Sequence, residues 1–339
     1  MLESNRIVGW DIGGAHIKLA YCNANQLLVD QISCPLWKGI DELTTMLPTL
    51  SAHLPAHIDT HHITMTGELV DCFDDRQQGV RAIITALQNH LTGTIKVFSL
   101  HGLISPQQAY DQPHDVASMN WLASVKALAK KYKNATFIDM GSTTTDILQI
   151  RNHKLCSDAI SDFDRLRTGE LVYTGVVRSC VNTVADSVLF QSQQIPLIAE
   201  NFAVTADIYR ILKRLPPHAD LGDTMDGKEK NQYASLVRLA RMCGLDYSED
   251  DYTDWYAVAE SLMHKQKQKI KQQLQTHTQD GQKLVLVAAG VGRFVIEDIA
   301  KEMDIQSHSF CQALMTTDLQ PTANADDCAP AVALLFQDH

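Results

Sequence analysis

One short pattern is written twice in this 339-residue chain, 128 positions apart. The first copy is Val8-Gly9-Trp10-Asp11-Ile12-Gly13-Gly14-Ala15-His16-Ile17-Lys18-Leu19-Ala20, and the second is Thr136-Phe137-Ile138-Asp139-Met140-Gly141-Ser142-Thr143-Thr144-Thr145-Asp146-Ile147-Leu148. Laid over each other without a gap, Asp11 meets Asp139, Gly13 meets Gly141 and Lys18 meets Asp146. In each copy an apolar run ends in Asp-x-Gly, turns through small residues and resumes as a second run, which predicts a β-hairpin. The tip of such a hairpin exposes backbone N–H groups beside a carboxylate. Those donors cradle phosphate, and the carboxylate suits Mg²⁺. The glycines keep Cβ atoms out of the way of a closely approaching anion. Two such tips facing each other are expected to grip a phosphorylated ligand from both sides.

The elements around the hairpins repeat as well. Strands are expected over 7–10, 17–22 and 27–32, a helix over 40–54, a strand over 63–66, a helix over 79–91, a strand over 95–100 and a helix over 117–132. The order then restarts with strands over 136–139, 145–150 and 154–157. A mostly helical section over 168–260, a helix over 255–277, a strand over 284–289 and helices over 295–303 and 330–336 complete it. This predicts an α/β fold of two related domains, 1–133 and 134–339, the second with a helical insertion at about 168–280, and a central phosphate-binding cleft.

Charge and hydropathy narrow the function. A net charge of −11 argues against a nucleic-acid partner, which needs a basic face. The longest strongly apolar run, 284–292, is too short to span a bilayer, and the N-terminus has no apolar signal region. None of the eight cysteines stands in a Cys-x-x-Cys pair, so they read as reduced, mostly buried thiols. A cytoplasmic enzyme with a small-molecule substrate and no membrane partner is expected; a homodimer is compatible with this.

The candidate chemistry starts at the hairpins. Asp11 and Asp139 are the expected Mg²⁺ ligands, and Gly13, Gly14, Gly141 and Ser142 the expected phosphate-binding amides. Lys18 alternates with Ile17 and Leu19 and can reach a phosphate oxygen as a flexible point charge. The hydroxyls of Ser142, Thr143 and Thr144 can bind phosphate or metal-bound water. Asp146 could bind metal, orient water or pair with Lys18. Gly290-Val291-Gly292 follows an apolar strand and opens a helix, a turn that suits a nucleotide or another anion. Glu68, after Thr66-Gly67, is a candidate general base. Thr168-Gly169-Glu170 reads as a helix start. The loop bearing Asp220, Asp223 and Asp226 reads as solvated and mobile. His61-His62 reads as strand polarity, and the basic run 264–271 as a solvated helix face.

The two hairpins and the later glycine turn, in this order, resemble the acetate kinase/sugar kinase/Hsp70/actin superfamily, with its pair of actin-like (ribonuclease H-like) domains. Within it, the stretches 141–146, 168–175 and 201–210 are similar to the hydantoinase/oxoprolinase group. Trp10-Asp11-Ile12-Gly13-Gly14-Ala15-His16-Ile17-Lys18 and Met65-Thr66-Gly67-Glu68-Leu69 resemble a short subgroup tied to methanofuran biosynthesis and to tetrahydromethanopterin-linked C1 transfer in methylotrophs. That resemblance implies a synthase that condenses a furanylmethyl diphosphate with a phenolic amine, a tyramine or tyrosine derivative, and releases diphosphate. Asp11, Lys18, Glu68 and Asp146 would carry the catalysis, with Glu68 or Asp146 accepting the phenolic proton. The alternative is an ATP-dependent small-molecule kinase or a hydantoinase/oxoprolinase-like amidohydrolase, with ATP in place of the diphosphate-bearing substrate.

Overall fold

The first strand, β1 (Ile7–Ile12), is buried along its whole length. That is the signature of a central strand covered on both faces, and the computed structural model, which describes residues 6–56, 58–277, 285–315 and 318–337, shows the cover. The elements that follow are β2 (His16–Asn23), β3 (Gln26–Ser33), α1 (Ile40–His53), β4 (Thr60–Met65), α2 (Arg76–His90), β5 (Thr94–Ser99), β6 (Gly102–Ile104), α3 (Pro106–Asp111) and α4 (Asn120–Ala129). Next come β7 (Asn134–Met140), β8 (Thr145–Arg151), β9 (Lys154–Leu155), α5 (Asp162–Thr168), β10 (Leu171–Val172), α6 (Val181–Val184), β11 (Ser187–Phe190), β12 (Gln193–Pro196), α7 (Thr205–Ile211), α8 (Gln232–Arg241) and α9 (Tyr252–His277). β13 (Val285–Ala289), α10 (Arg293–Glu302), β14 (Gln306–Ser309), α11 (Phe310–Leu314), β15 (Gln320–Pro321) and α12 (Ala329–Leu334) close the chain. Leu284, the expected first residue of β13, lies outside the described residues.

The chain divides into two compact units. Unit 1 is Met1–Phe137, Leu148–Asp162 and His308–His339, and unit 2 is Ile138–Ile147 and Phe163–Ser307. This differs from a single cut after residue 133, because 308–339 returns to unit 1. The reason is local packing. Six consecutive residues of α12 are buried, and the helix lies so close to β1 that a Cβ on Gly9 would sit 2.0 Å from the Ala331 carbonyl oxygen. Glycine at this position is what lets the helix seat.

The sheet of unit 1 runs β15-β3-β2-β1-β4-β5-β6, antiparallel from β3 to β1 and parallel from β1 through β4 to β5. One face of β1 and its neighbours sends Val8, Trp10, Ile12, Ile17, Leu19, Ile63 and Met65 into a core with Leu43 and Leu47 of α1 and Val80, Ile83 and Leu87 of α2. Helix α2 starts three residues earlier than its apolar spacing suggests, because the Asp75 side chain caps it by accepting from the Gln78 N–H at 2.8 Å. His61 and His62 are strand polarity in this sense: Trp10 donates its indole N–H to His61 Nδ1 at 3.1 Å, and His62 donates to the Leu334 carbonyl at 2.9 Å.

A second sheet runs β10-β8-β7-β13-β14, with β9 beside β8. In unit 2 the section expected to be mostly helical also holds the β11–β12 hairpin. Thr168 does not start a helix; it ends α5. Gly169 follows at φ +78°, the left-handed residue that commonly stops a helix. The basic run 264–271 is not a solvated face throughout: Gln266 and Lys267 are buried, and Lys267 and Lys271 both pair with Glu302 of α10.

Candidate functional site

Both Asp-x-Gly segments form the hairpins that the sequence predicts, and their hydrogen bonds repeat at the same offset as the residues. Gly13 N–H donates to the His16 carbonyl at 2.9 Å, and Gly141 N–H to the Thr144 carbonyl at 2.8 Å. Thr66 N–H donates to the Ile12 carbonyl at 3.0 Å, and Gly292 N–H to the Met140 carbonyl at 2.8 Å. Gly292 therefore stands where Thr66 does in the first half, each in the turn that closes the strand beside its hairpin.

These bonds revise which amides are available. The N–H groups of Gly13 and Gly141 are used inside the turns. The Gly14 carbonyl accepts from Leu36, the Gly141 carbonyl from Val176, and the Ser142 carbonyl from Val177 and Arg178. A trans peptide points its N–H opposite to its C=O. So the amides of Ala15, Ser142 and Thr143 aim away from the chain segments that hold those carbonyls. These, rather than Gly13 and Gly141, are the candidate donors at the tips.

In unit 1, Asp11 stands directly opposite Lys18 in the β1–β2 register and beside Thr64 of β4. Asp11 is buried and Lys18 half-buried. Cys328 lies close to both. Burial pushes its thiol up to about 12, Asp327, Asp11 and Asp30 add to the rise, and Lys18 opposes it, so the thiol stays protonated near neutrality. Gly67 backs onto the hairpin, where a Cβ would meet the Ile12 carbonyl oxygen at 3.1 Å.

Glu68 follows in a short 3₁₀ turn and is wholly enclosed, at 0% exposure. Its Oε1 accepts from the Ser118 hydroxyl at 2.7 Å; its Oε2 is buried with no hydrogen-bond partner among the described residues. Burial raises its pKa above the usual glutamate value; the Ser118 hydrogen bond and Arg76 pull it down, and Asp162 pushes it up. Asp162 in turn accepts from Arg76 Nη2 at 3.0 Å. Ser118 and Asp162 lie far from Glu68 in sequence, Arg76 lies eight positions on, and none belongs to a recognisable motif.

In unit 2, Asp139 is buried, and Gly290, at φ +84°, passes so near that a Cβ would lie 2.3 Å from its Oδ1. Gly292 touches Met140 and Val176 in the same way. Of the hydroxyl-rich tip, Ser142 and Thr143 face each other at 3.4 Å. Thr145 is fully buried and donates to the Thr174 carbonyl. Asp146 pairs with the buried guanidinium of Arg165. The segment 174–178 straps the tip, and Gln266 of α9 holds the strap by donating to Thr174 Oγ1 at 2.7 Å and the Gly175 carbonyl at 2.8 Å.

The loop carrying Asp220 and Asp226 is not simply solvated. Arg210 donates to Asp220 at 2.7 Å and to Asp207 at 3.0 Å; the fully buried Arg238 donates to Asp207 at 2.8 Å and to Asp226 at 2.9 Å. Only Asp223 of the three is exposed. Asp220 and Asp226, with Asp207, are therefore the acidic half of an ion-pair network that pins the loop to α7 and α8.

Oxygen donors of the Asp11 and Asp139 type suit Mg²⁺, which takes one or two carboxylates and completes its shell with water and phosphate oxygens. Among the described residues no three His, Cys, Asp or Glu side chains cluster as a metal cage. Among them, too, no helix is long and apolar enough to cross a membrane.

Comparison with known proteins agrees with this architecture. The (4-{4-[2-(gamma-L-glutamylamino)ethyl]phenoxymethyl}furan-2-yl)methanamine synthase of Methanocaldococcus jannaschii is 31% identical over 306 residues, 89% of this chain and 90% of that protein. The synthase of the same name from Methanococcus vannielii is 28% identical over 178 residues, 50% of this chain and 77% of that one. The nucleotide-free structure of acetone carboxylase superposes with a TM-score of 0.54 at 10% identity, covering 97% of this chain and 70% of that one, a likeness of fold alone. With the hairpin–strand–turn arrangement present in both halves and the Hydantoinase/oxoprolinase family model matching residues 59–314, the chain belongs to the hydantoinase/oxoprolinase family.

Proposed function

We propose that this protein is a transferase of methanofuran-type cofactor biosynthesis. It joins a furanylmethyl diphosphate to the phenol of a tyramine or tyrosine derivative and releases diphosphate. The observation that carries this reading is the 31% identity, over nearly the whole chain, to the synthase of Methanocaldococcus jannaschii. That relative is named for a product in which a phenol oxygen is bonded to a furan-bearing methylene.

The residues support the chemistry. As the carbon–oxygen bond to diphosphate breaks, negative charge grows on the leaving group, and preorganised donors stabilise it. Lys18, the Ala15 amide, and the amides and hydroxyls of Ser142 and Thr143 are the candidate donors. Asp11 and Asp139 would hold Mg²⁺, which when bound neutralises diphosphate oxygens. Glu68 is the better proton acceptor, because Asp146 is already committed to Arg165. A carboxyl raised by burial sits nearer the operating pH, where a general base works best. The setting is a cytoplasmic one, linked to tetrahydromethanopterin-dependent C1 transfer.

The test is turnover of aminomethylfuran diphosphate with a phenolic amine in the presence of Mg²⁺. Diphosphate and the aryl ether should form in equal amounts, and Glu68→Gln should abolish both. Absence of diphosphate release above background sinks the proposal. Family membership keeps an ATP-dependent amidohydrolase or kinase as the second reading. Calorimetry with Mg-ATP separates the two, since tight ATP binding belongs to the second alone.

A further inference from the structure

A carboxyl sealed from water at 0% exposure has a difficulty that an exposed one lacks. Each time it gains or loses a proton, a neighbouring polar group must change its own hydrogen bond, or a donor or acceptor is left unpaired in a low dielectric. Among the described residues, Ser118 is the neighbour placed to do this. The Ser118 hydroxyl, itself 7% exposed, lies 2.7 Å from Glu68 Oε1 and 3.4 Å from Asp162 Oδ2. It has a single hydrogen and two lone pairs to share between them. Asp162 is held in place from the far side by Arg76, 3.0 Å away.

The backbone also singles out Ser118. It stands at φ +55°, in the left-handed region that residues with a Cβ seldom occupy. A glycine there would relieve the conformation, yet the chain keeps a hydroxyl in this position. The charged groups that face Glu68 are Arg76 of α2 and Asp162 at the start of α5, with Ser118 in the turn before α4.

We propose that Ser118 is the positioning residue for Glu68, and that its hydroxyl turns between Glu68 and Asp162 as Glu68 exchanges its proton. With Glu68 ionised, Ser118 donates to Oε1, and the longer contact to Asp162 carries no hydrogen. With Glu68 protonated, the new O–H on Oε1 donates to Ser118 Oγ, and Ser118 swings its hydrogen onto Asp162. No covalent bond between heavy atoms changes. One proton arrives, from the substrate phenol on the reading of Glu68 as base, and both states keep Glu68 Oε1 and Ser118 Oγ hydrogen-bonded to each other. The inference deepens that reading and rests on it for the catalytic consequence, though not for the coupling itself.

Two variants shift Glu68 in opposite directions. Ser118→Gly removes the hydroxyl while accepting φ +55° without strain. The ionised form of Glu68 then loses its donor, and the titration midpoint should rise by roughly one to two pH units. Asp162→Asn removes the negative charge that disfavours ionisation, and the midpoint should fall. The readout is ¹³C-carboxyl NMR of glutamate-labelled protein with the Glu68→Gln spectrum subtracted, followed by the acid limb of the kcat/KM profile. If Ser118→Gly leaves the midpoint where it was, or if both variants move it the same way, the inference is overturned; a role for Ser118 in folding alone gives that result. If the midpoints move as stated while the rate profile stays still, the coupling stands and the assignment of Glu68 as the reacting base fails.

Discussion

Replacing Gly290 with alanine tests whether the turn after β13 is built around Asp139. Gly290 adopts φ +84°, where a Cβ meets the following carbonyl, at a cost of about 1–2 kcal/mol. The added methyl would also lie 2.3 Å from Asp139 Oδ1 and 2.4 Å from the Met140 carbonyl oxygen. Neither is the loose end of a flexible chain, so overpacking adds about 1–3 kcal/mol. Against this, alanine restricts the unfolded chain and returns about 0.4–1 kcal/mol. The net expectation is a loss of roughly 2–4 kcal/mol for Gly290→Ala. Gly222 is the control, since a Cβ there meets nothing within 4 Å. Gly222→Ala should be neutral to slightly stabilising. Urea unfolding followed by circular dichroism measures both. A Gly290→Ala protein within about 1 kcal/mol of the Gly222→Ala control refutes the argument from close approach, a margin below the roughly 2–4 kcal/mol expected. Because the clash falls on the Asp139 carboxylate, turnover should drop in the same variant even where it remains folded.

Three further outcomes are expected. Asp207→Ala removes the carboxylate that the buried Arg210 and Arg238 share, leaving Arg210 with Asp220 and Arg238 with Asp226, and should cost about 1.5–3 kcal/mol in urea unfolding. Lys267 and Lys271 hold the Glu302 carboxyl down from 4.5 to about 2. A lowered folded-state value means that its contribution is complete above 4.5 and disappears as pH falls through about 2, so wild type and Glu302→Gln should differ in unfolding midpoint at neutral pH and converge across that window. Asp11→Asn and Asp139→Asn should each abolish diphosphate release yet leave the unfolding midpoint nearly unchanged; a large loss of stability in either would mark that carboxylate as structural.

The hairpins were legible because Asp-x-Gly between two apolar runs leaves the backbone few alternatives, and a second copy at constant offset is hard to produce by chance. Their place in the sheets followed from the repeated element order. What the sequence concealed was partnership across distance. Asp220 and Asp226 look like solvated loop aspartates until Arg210 and Arg238, on two separate helices, are brought to them. Asp146 gave no sign of Arg165, and Glu68 none of Ser118. Other signals were present but unread. Ser105-Pro106-Gln107-Gln108 is a capping box with proline at the first helical position, and it opens α3. Gly169 marks the end of α5 rather than the approach to a new helix. The β11–β12 hairpin escaped because its strands, four residues each, are too short to show a period.

The seating of α12 on Gly9 carries a consequence for biogenesis. A strand that precedes its covering helix in the chain finds that cover only after some three hundred further residues have been added. At ribosomal rates that interval is on the order of tens of seconds. Throughout it, the uncovered side of β1 is exposed to whatever else the cell offers, and a nascent chain arrested before position 331 would present that bare surface to chaperones and proteases.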